Sequence, residues 1–470
     1  MRVHAKEMVF PIGAPNDGFA QYFSGRSFLA PISTSQVGIF NVTFEPGCRN
    51  NWHIHHAKSG GGQILVCVAG RGFYQEEGRD AVEMKPGDCI NIPVDVKHWH
   101  GAAPDEWFSH LAIEVPGVDC SNEWCEAVSE KEKESTMEYG KLGNTDIEVS
   151  KLCVGCMSFG KAGTMHDWTL DEAESENVIK HALDLGYNFF DTANGYSAGT
   201  SEEYLGKALK KNVARNQVVI ASKVYFNEGR LSRQAIMREI DGTLSRLGTD
   251  YLDLYIIHRF DYDTPIEETM EALHDLVKAG KVRALGASAM YGYQFYNMQL
   301  AARDNGWTPF SAMENHYNLL YREDERELLP ICKQMKVSLM PYSPLAAGHL
   351  ARPQWRSESL RGTTDRVAMG KYDKTEAEDM QIVKRVAELA EKYNCKMSQI
   401  AIAWQWAKGI LSPIIGATKT QYLDDSAGAF DIKLTAEDLA YLEEPYVPHE
   451  IVGAIDKNPA QGVILLDEKK

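Results

Sequence analysis

Four ionisable side chains stand at or just after the ends of consecutive apolar segments, and together they could move a proton. Asp191, Lys223 and His258 each end one segment, and Tyr196 lies in the loop after Asp191. An aspartate is a counter-ion for a buried lysine, and we expect the lysine cation to draw the tyrosine pKa from ~10 towards neutrality. A neutral imidazole can hold a carbonyl oxygen in position. The set predicts proton donation during hydride delivery to an aldehyde or ketone.

A group of candidate metal ligands lies near the start of the chain. His53 and His55 stand two apart, so on a strand both imidazoles point to the same face. Gln63 opens the next apolar segment, and His98 follows a Pro-Gly-Asp turn. Three imidazoles and one oxygen donor can bind a divalent transition-metal ion of the first row and leave coordination positions open. Imidazoles that are simply exposed to solvent are the alternative interpretation.

The four ionisable residues need a scaffold that brings strand ends together. After residue 136, eight short apolar segments alternate with amphipathic helical stretches, which is typical of strand-helix repeats with a parallel sheet. The segments are LCVGCMSF, NFFDTA, VVIASKV, LDLYIIH, VRALGAS, FSAMENHY, VSLMPYS and SPIIGAT. In one helical stretch, Thr264 is expected to cap the start and Gly280 to end the helix. Eight repeats predict an α/β fold, a closed (β/α)8 barrel of typically ~250 residues, with functional groups at the carboxyl ends of its strands.

The part of the chain before these repeats has a different pattern. Residues 1–128 hold short segments rich in Val, Ile, Phe and Tyr between Gly, Pro and Asn turns, which predicts a small all-β barrel or sandwich. Residues 129–136, SEKEKEST, are polar and mostly charged and predict a solvated linker. A length of 470 residues also exceeds what one core usually organises. We therefore expect two domains, 1–128 and 137–470.

Composition restricts the class of partner. A formal net charge of −17 argues against a nucleic acid or an anionic membrane, because such partners attract basic surfaces. No segment approaches the ~20 apolar residues of a spanning helix, and the start does not read as a secretory signal. The nine scattered cysteines do not resemble a disulfide framework, and we interpret Cys153 and Cys156 as core residues rather than a redox or zinc pair. These observations predict a cytoplasmic protein.

From Met137 to about Tyr446 the chain resembles the aldo-keto reductases. The segments that carry the resemblance are GYNFFDTANGY, VVIASKV, YLDLYIIHR, VRALGAS, HYNLLYREDERELLP, MPYSPLAAGHL and PIIGATK, in that order. The resemblance implies an NADP-dependent oxidoreductase on a TIM barrel that acts on a small-molecule carbonyl substrate. The catalytic tetrad that it implies is Asp191, Tyr196, Lys223 and His258, with Tyr196 as the general acid in reduction.

The cofactor would not be held by the glycine-rich turn of a Rossmann fold, because no G-x-G-x-x-G joins a strand to a helix here. The resemblance implies instead that NADP(H) lies across the barrel mouth. Ser288 and Glu314 would bond the nicotinamide amide, and Tyr342 would stack on its ring. The other contacts that the resemblance implies are Ser343, Leu345, Arg366, Gly416, Thr418 and Lys419. Lysine at the last position favours NADP over NAD, because a cation and backbone amides can meet the 2′-phosphate.

Three positions depart from the family pattern. Glu314 stands where glutamine is common, and a carboxylate can accept from the amide NH2 group but cannot donate to the amide oxygen. Ala289 and Ser426 stand where asparagine is common. We expect these departures to affect cofactor affinity more than chemistry. For Thr418 and Lys419, a helix N-terminal cap and a solvated lysine are the alternative interpretation.

Residues 1–128 are similar to the cupins in both short motifs of that family. The metal ligands that the resemblance implies are His53, His55, Gln63 and His98. His56 and His100 are nearby candidates for supporting a ligand or contacting a substrate. Gln63 replaces the carboxylate usual in the first motif, and a neutral donor weakens metal binding and leaves the ion more electrophilic. Cupins often pair, which is compatible with a homodimer.

Three functions remain open from the sequence. The first is NADPH-linked reduction of an aldehyde or ketone, such as a sugar-derived carbonyl that the cupin also handles. The second is a nucleotide-sensing module without significant turnover, against which the intact tetrad counts. The third assigns the main chemistry to the cupin, with the barrel acting on its product, since a fold alone does not decide activity. Trp168 and Phe226 are expected to line a substrate pocket. The sequence identifies neither the substrate nor the metal.

Overall fold

A computed structural model describes residues 9–79, 81–103, 106–128 and 137–455 of the chain. Contacts divide the protein into two compact units, residues 1–135 and 136–470. The predicted linker, 129–136, lies outside the described residues. In the part of the chain that is described, none of the helices is both long enough and apolar enough to cross a membrane.

The first unit is made of antiparallel strands, as its turn-rich pattern predicts. One sheet has the order β1-β3-β4-β13-β8-β11, and in the other β12 pairs with β9, β5 and β6. The strands are β1 (Ala14–Pro15), β2 (Phe23–Ser24), β3 (Ser27–Ser33), β4 (Ile39–Phe44), β5 (Arg49–Asn50), β6 (His53–His56), β7 (Ser59–Gly60), β8 (Gln63–Gly70), β9 (Gly72–Glu76), β10 (Val82–Met84), β11 (Cys89–Ile92), β12 (His98–Ala102), β13 (Phe108–Glu114), β14 (Gly117–Val118) and β15 (Ser121–Trp124). These strands form the small all-β unit that the sequence predicts.

The interior of the first unit shows the alternation that a half-buried strand requires. Along β8, Leu65, Cys67 and Ala69 are buried while the residues between them are partly exposed. The rings of Phe44 and Phe108 pack 5.8 Å apart in the same apolar cluster. This core fixes the register of the strands that carry the histidines.

The second unit contains eight parallel strands, one at each predicted apolar segment. They are β18 (Cys153–Gly155), β19 (Phe189–Asp191), β20 (Val219–Val224), β21 (Leu252–Ile257), β22 (Val282–Ser288), β23 (Phe310–Glu314), β24 (Ser338–Leu339) and β25 (Ile414–Gly416), after a hairpin of β16 (Tyr139–Lys141) and β17 (Glu148–Ser150). The strand order runs β24-β23-β22-β21-β20-β19-β18-β25. Backbone hydrogen bonds from Leu411 to Leu339 and from Ile414 to Pro341 close the ring. The sheet is therefore the predicted (β/α)8 barrel.

Helices surround this barrel. They are α1 (Glu172–Asp184), α2 (Thr200–Asn212), α3 (Arg233–Leu247), α4 (Ile266–Lys278), α5 (Gly292–Asn305), α6 (Leu328–Gln334), α7 (Leu360–Thr364), α8 (Arg366–Tyr372), α9 (Glu376–Lys392), α10 (Met397–Ala407), α11 (Thr420–Ala427) and α12 (Ala436–Glu443). Gly280 follows α4 with a φ of 73°, the left-handed conformation expected after a helix end. The predicted cap at Thr264 is wrong, because Pro265 precedes the helix and Thr264 donates to Asp261 instead.

One end of the barrel is filled by apolar side chains. Leu142 and Val149 of the β16–β17 hairpin pack against Phe189, Val219 and other interior residues of the strands. The opposite end, here called the barrel mouth, consists of the carboxyl ends of β18–β25 and the loops after them. The barrel mouth is the end at which chemistry can occur.

Cys153 and Cys156 are buried, and burial raises the pKa of both thiols, so both are core residues as predicted.

Candidate active site and metal centre

The barrel mouth brings the four predicted catalytic side chains together. Asp191 ends β19, Lys223 lies near the end of β20, and His258 follows β21. Lys223 Nζ donates hydrogen bonds to Asp191 and, at 3.2 Å, to the Tyr196 hydroxyl. The rings of Tyr196 and His258 lie 5.6 Å apart at 80°. Phenol, ammonium, carboxylate and imidazole thus share one site.

Lys223 is the centre of this cluster. Its side chain is fully buried, and Nζ also donates to the Thr192 carbonyl at 3.0 Å and lies 3.4 Å from Glu314 Oε2. Burial alone would lower the pKa of Lys223, but Asp191 and Glu314 outweigh burial and raise it. The lysine therefore remains an ammonium ion next to the phenol.

The expected lowering of the Tyr196 pKa is wrong for the protein without cofactor or substrate. Burial is the largest cause and raises the pKa of Tyr196, and the negative charges of Asp191 and Glu314 add to that effect. The Lys223 cation acts in the opposite direction but does not compensate. Tyr196 thus keeps its proton at neutral pH, which is the form that a general acid needs.

His258 is neutral in this site. Burial, followed by the positive charges of Lys223 and Arg259, lowers its pKa well below the ordinary value. Its Nδ1 atom is buried and has no hydrogen-bond partner among the described residues. A neutral imidazole beside the phenol can hold a carbonyl oxygen without competing for the proton.

The backbone beside Tyr196 is strained. Ser197 and Ala198 both adopt left-handed conformations, with φ of 46° and 54°. Such residues each cost on the order of 1 kcal/mol and persist only where the surroundings hold them. Thr200 Oγ1 donates to the Ser197 carbonyl at 2.7 Å, and a Cβ atom on Gly160 would lie 2.4 Å from the Ser197 Cβ. Close packing therefore fixes the loop that carries the phenol.

The two residues expected at the nicotinamide amide are neighbours across the sheet. Ser288 and Glu314 are paired in register at the ends of β22 and β23, and both are buried. Burial and then the Asp191 carboxylate raise the pKa of Glu314 to about 8, although Lys223 acts against them. The backbone of Ala289, which has a φ of 48°, donates to the Glu314 carbonyl. This arrangement fits an amide group that needs acceptors.

Tyr342, the residue expected to stack on nicotinamide, already has partners. Its ring lies 5.3 Å from the His316 ring at 6°, and Lys371 Nζ lies 4.7 Å from its centroid. Burial lowers the pKa of Lys371 to about 8, an effect to which the Arg361 and Arg259 charges contribute. Lys371 is a cation at the barrel mouth that sequence reasoning missed, because one lysine on an exposed-looking helix carries no distinguishing signal.

The long loop after β24 carries a second arginine, Arg361, in addition to the expected Arg366. Arg366 is exposed at the start of α8. Arg361 instead lies 4.5 Å above the Trp168 ring, donates to Asp365, and is the nearest group to the open space at Gly416. The structure thus places Arg361 beside the end of β25, and the cofactor contact predicted for Arg366 stays a prediction.

The segments expected to follow the cofactor phosphates line the same mouth. Ser343, with a φ of 56°, precedes Leu345 and a short turn in which Ala346 and Ala347 are also left-handed. Lys419 is exposed and immediately precedes α11, and within the described chain no side chain caps this helix start. Thr418 is therefore not the cap that the alternative interpretation required. Uncapped amides at a helix start can meet a phosphate.

Phe226 is open to solvent and lies beside the imidazole. Its ring is 51% exposed and 5.0 Å from the His258 ring. Trp168, by contrast, is buried, stacks on His166 at 4.4 Å and contacts Arg361. Phe226 is thus placed to contact a substrate, whereas Trp168 lies among the residues near the end of β25.

The first unit gathers three imidazoles into one cluster. The nitrogen atoms of His53, His55 and His98 that could ligate a metal lie within 4.8 Å of one another. His53 and His98 face each other in register on β6 and β12. Gln63, at the start of β8, has a buried Oε1 atom with no hydrogen-bond partner in the described structure, and so do the Nε2 atoms of His55 and His98. The four predicted ligands thus include three buried lone-pair donors without a partner.

Each imidazole is oriented by an acceptor on its other nitrogen. The Nδ1 atoms of His53 and His98 lie 3.0 and 2.9 Å from the carbonyls of Asn51 and Val96, and His55 Nδ1 lies 2.7 Å from the Asn122 side chain. These contacts favour a proton on Nδ1 and a lone pair on Nε2. Burial lowers the pKa of all three imidazoles, that of His98 to about 4. The donor set is neutral and fits a divalent metal ion.

The two supporting histidines behave differently. His56 is next to His55 on β6 and points to the opposite face, where it lies 2.6 Å from Asp95 and 2.8 Å from Glu123. The expectation that His56 supports the metal cluster is therefore wrong, because adjacent strand residues face opposite sides. His100 is buried 5.5 Å from the His53 ring and contacts His110 at 3.1 Å. It lies directly behind the cluster.

Comparisons with known proteins agree with this geometry. A model of the aldo/keto reductase family matches residues 151–446, and a model of the cupin domain matches residues 40–113. Versiconal hemiacetal acetate reductase of Aspergillus parasiticus is 43% identical over 341 residues, which cover 67% of this chain and 98% of that protein. Aldo-keto reductase AMT2 of Alternaria alternata is 40% identical over 345 residues, with 67% and 93% covered.

A solved structure shows the same similarity. The thermostable aldo-keto reductase Tm1743, in complex with the inhibitor epalrestat, is 29% identical and aligns with a TM-score of 0.54 over 66% of this chain and 100% of that one. The family match covers well over half of the chain, and the cupin match precedes it. The chain therefore belongs to the aldo-keto reductase family of oxidoreductases and carries a cupin domain ahead of its reductase domain.

Proposed function

We propose that the barrel is an NADPH-dependent reductase of aldehydes or ketones. The observation that carries this proposal is the position of the Tyr196 hydroxyl, 3.2 Å from Lys223 Nζ and next to the His258 ring; burial raises the pKa of Tyr196 and lowers that of His258. A carbonyl compound in the mouth would meet a proton donor and an orienting imidazole together. This combination is the one that reduction of a carbonyl requires.

Each residue of the proposed site has a separate role. His258 orients the carbonyl oxygen, and Tyr196 donates its proton to that oxygen as negative charge develops there. The tyrosinate left behind is stabilised by the Lys223 ammonium, which Asp191 holds in place, until water restores the proton. Phe226 packs against the substrate beside His258. When bound, the cofactor supplies the hydride for the carbonyl carbon.

The proposed cofactor site follows from the placement of polar groups around the mouth. Ser288 and Glu314 would hold the nicotinamide amide, and Arg361 and Lys371 supply cations for the diphosphate. The uncapped start of α11 and Lys419 would meet the 2′-phosphate, which favours NADP over NAD.

Replacing Tyr196 tests the proposed reaction. The Tyr196→Phe variant keeps the ring but removes the proton donor, so we expect NADPH-linked turnover of aldehydes to fall by about 10²–10⁴-fold. NADPH binding, followed by fluorescence titration, should change less than about twofold. Near-normal turnover in this variant would contradict the role of Tyr196. Tight NADPH binding by the wild type with no turnover on a panel of aldehydes and ketones would favour the nucleotide-sensing function instead.

For the first unit we propose a divalent transition-metal site of three imidazoles and Gln63. Three buried donor atoms without hydrogen-bond partners among the described residues support it, as do the acceptors that fix each imidazole. Metal analysis of the purified full-length protein is expected to find about one equivalent per chain. A metal-free protein that does not take up Mn²⁺, Fe²⁺, Co²⁺, Ni²⁺ or Zn²⁺ would contradict the proposal. Whether the metal serves an accessory or a second catalytic role is tested by assaying the loaded and metal-free forms.

A further inference from the structure

The cluster around Lys223 has one more carboxyl group than its cation can balance. Asp191 and Glu314 approach Lys223 Nζ from β19 and β23, and all three side chains are nearly or fully buried. Asp191 Oδ2 and Glu314 Oε2 are buried without a hydrogen-bond partner in the described structure. If every group were ionised, the cluster would carry a net negative charge away from water, which is costly.

Glu314 is the carboxyl group that can relieve this excess. Asp191 accepts a close hydrogen bond from Lys223, whereas Glu314 Oε2 lies 3.4 Å from the same Nζ, a longer and weaker contact. Burial and the Asp191 charge raise the pKa of Glu314 to about 8. Burial raises the pKa of Asp191 too, so the two carboxyl groups share a proton, and Glu314, with the longer contact to Lys223, is the group that we expect to hold it near neutral pH.

The position of Glu314 connects this proton to the cofactor. Glu314 is paired with Ser288, at the place where the proposed function puts the nicotinamide, and the inference rests on that assignment. The oxidised nicotinamide ring carries a positive charge and the reduced ring is neutral. A glutamine here would interact similarly with both forms, whereas a carboxylate attracts only the charged ring.

We propose that Glu314 makes the site discriminate between the two redox states of the cofactor, by releasing its proton when NADP⁺ binds and balancing the ring with its carboxylate. The protonated enzyme and NADP⁺ give the complex and one proton in solvent. NADPH binds without this release. Higher pH removes the proton beforehand, so the preference for NADP⁺ over NADPH increases as pH rises through the Glu314 pKa.

Apart from Asp191, the groups that face Glu314 do not release a proton when the cofactor ring becomes charged. The groups that face it are Cys153 from β18, Asp191 from β19, Tyr196 after β19, Lys223 from β20 and Tyr342 after β24. Burial raises the pKa of the thiol and of both phenols, so these stay protonated. Lys371, with a pKa lowered to about 8, acts on both cofactor forms alike through its charge. Burial raises the pKa of Asp191 as well, so the Glu314→Gln variant, together with the ratio of the two dissociation constants, assigns the proton release to Glu314.

The test measures Kd for NADP⁺ and for NADPH by fluorescence titration of the full-length protein between pH 6.5 and 8.5. We expect the ratio Kd(NADP⁺)/Kd(NADPH) to fall by roughly tenfold over this range, within the limit of tenfold per pH unit for one proton. Calorimetric titration at pH 7 in two buffers of different ionisation enthalpy should show up to about one proton released with NADP⁺ and a smaller release with NADPH.

The Glu314→Gln variant should remove both effects. Its Kd ratio should be independent of pH and, at pH 8.5, about tenfold higher than that of the wild type. Glu148→Gln, on the exposed hairpin at the opposite end of the barrel, is the matched control and should behave as the wild type. If Glu314→Gln does not fold, as judged by its thermal transition, the wild-type proton release decides the question.

A wild-type ratio that does not change with pH, or a Glu314→Gln ratio equal to the wild-type ratio, would overturn this inference. The expected ratio together with an absence of carbonyl turnover would leave it standing and remove the proposed reductase function. Failure of both nucleotides to bind would overturn both proposals.

Discussion

The barrel mouth and the imidazole cluster of the cupin domain are both buried polar sites, but they are balanced differently. In the mouth, Lys223 is surrounded by hydrogen-bond acceptors and by two carboxyl groups within the same chain. In the cupin domain, His53, His55 and His98 are neutral and present their Nε2 lone pairs to one another. The mouth therefore contains both a cation and its counter-charges, whereas the imidazole cluster contains only nitrogen atoms that can donate lone pairs to a metal ion.

This difference explains what each site requires. An ammonium held between two carboxyl groups is already organised for the charge that would develop if Tyr196 gave up its proton as proposed. Buried lone pairs without a proton donor cost free energy until a cation accepts them. The mouth therefore holds the groups that the proposed proton donation needs, whereas the imidazole cluster would be balanced by the metal ion proposed for it.

The largest effect should come from removing the cation of the mouth. In Lys223→Met, Asp191 and Glu314 lose their shared partner, so we expect the free energy of unfolding to fall by about 3–5 kcal/mol. Aldehyde turnover should fall by at least about 10³-fold because the tyrosinate is no longer stabilised. Urea denaturation and steady-state kinetics measure the two effects.

The matched control for this change is Lys151→Met. Lys151 pairs with Glu138 while both side chains are substantially exposed, so its loss should cost less than about 1 kcal/mol and leave turnover unchanged. Equal destabilisation by the two variants would show that the mouth is not the balanced, desolvated cluster described here.

The second effect should be loss of metal from the cupin domain. In His98→Ala we expect bound metal to fall from about one equivalent to below about a tenth after dialysis, because one of three imidazole ligands is removed. Asn122→Ala, which removes the acceptor on His55 Nδ1, should weaken metal affinity by about 10–100-fold. Elemental analysis and metal titration measure both.

His56→Ala is the control, since this imidazole lies on the opposite face of β6 between Asp95 and Glu123. It should retain its metal. Retention of metal by His98→Ala, or its loss from His56→Ala, would contradict the assignment of ligands and with it the contrast between the two sites.

The smallest effect should come from replacing Phe226, the exposed aromatic residue at the barrel mouth. Phe226→Ala removes an exposed ring beside His258, and we expect KM for an aromatic aldehyde to rise by about tenfold, which corresponds to ~1.4 kcal/mol. The kcat value and the Kd for NADPH should change less than about twofold. Phe19→Ala, similarly exposed in the first unit, should change none of these. A KM unchanged by Phe226→Ala would remove this residue from the substrate contacts.

Much of the architecture follows from local patterns. The apolar segments that contain Asp191, Lys223 and His258 each became one barrel strand or its end, because eight such segments separated by helices have few alternatives to a closed parallel sheet. The two-residue spacing of His53 and His55 likewise placed both rings on one face of β6. The alternation of side chains along a strand was sufficient to predict this placement.

Other expectations failed where distance in space mattered. The Tyr196 pKa rises because burial and two carboxylates outweigh one ammonium, a balance that residue types do not reveal. Arg361, which the sequence did not single out, lies beside the end of β25 and over the Trp168 ring, while the cofactor contact predicted for Arg366 stays a prediction. Lys371 contacts the Tyr342 ring at the barrel mouth, and no sequence motif indicated this position.

By itself, the sequence determined the order of the strands, the two-domain composition and the chemical types available at each strand end, because these depend on neighbours along the chain. The tertiary structure decided which groups are buried together. Glu314 and Asp191 both contact the Lys223 ammonium, and His56 points away from the cluster of His53, His55 and His98. The ionisation of these groups and their ability to bind a metal or cofactor depend on distances in space and on the exclusion of water. Those distances and that exclusion arise only when remote segments pack together.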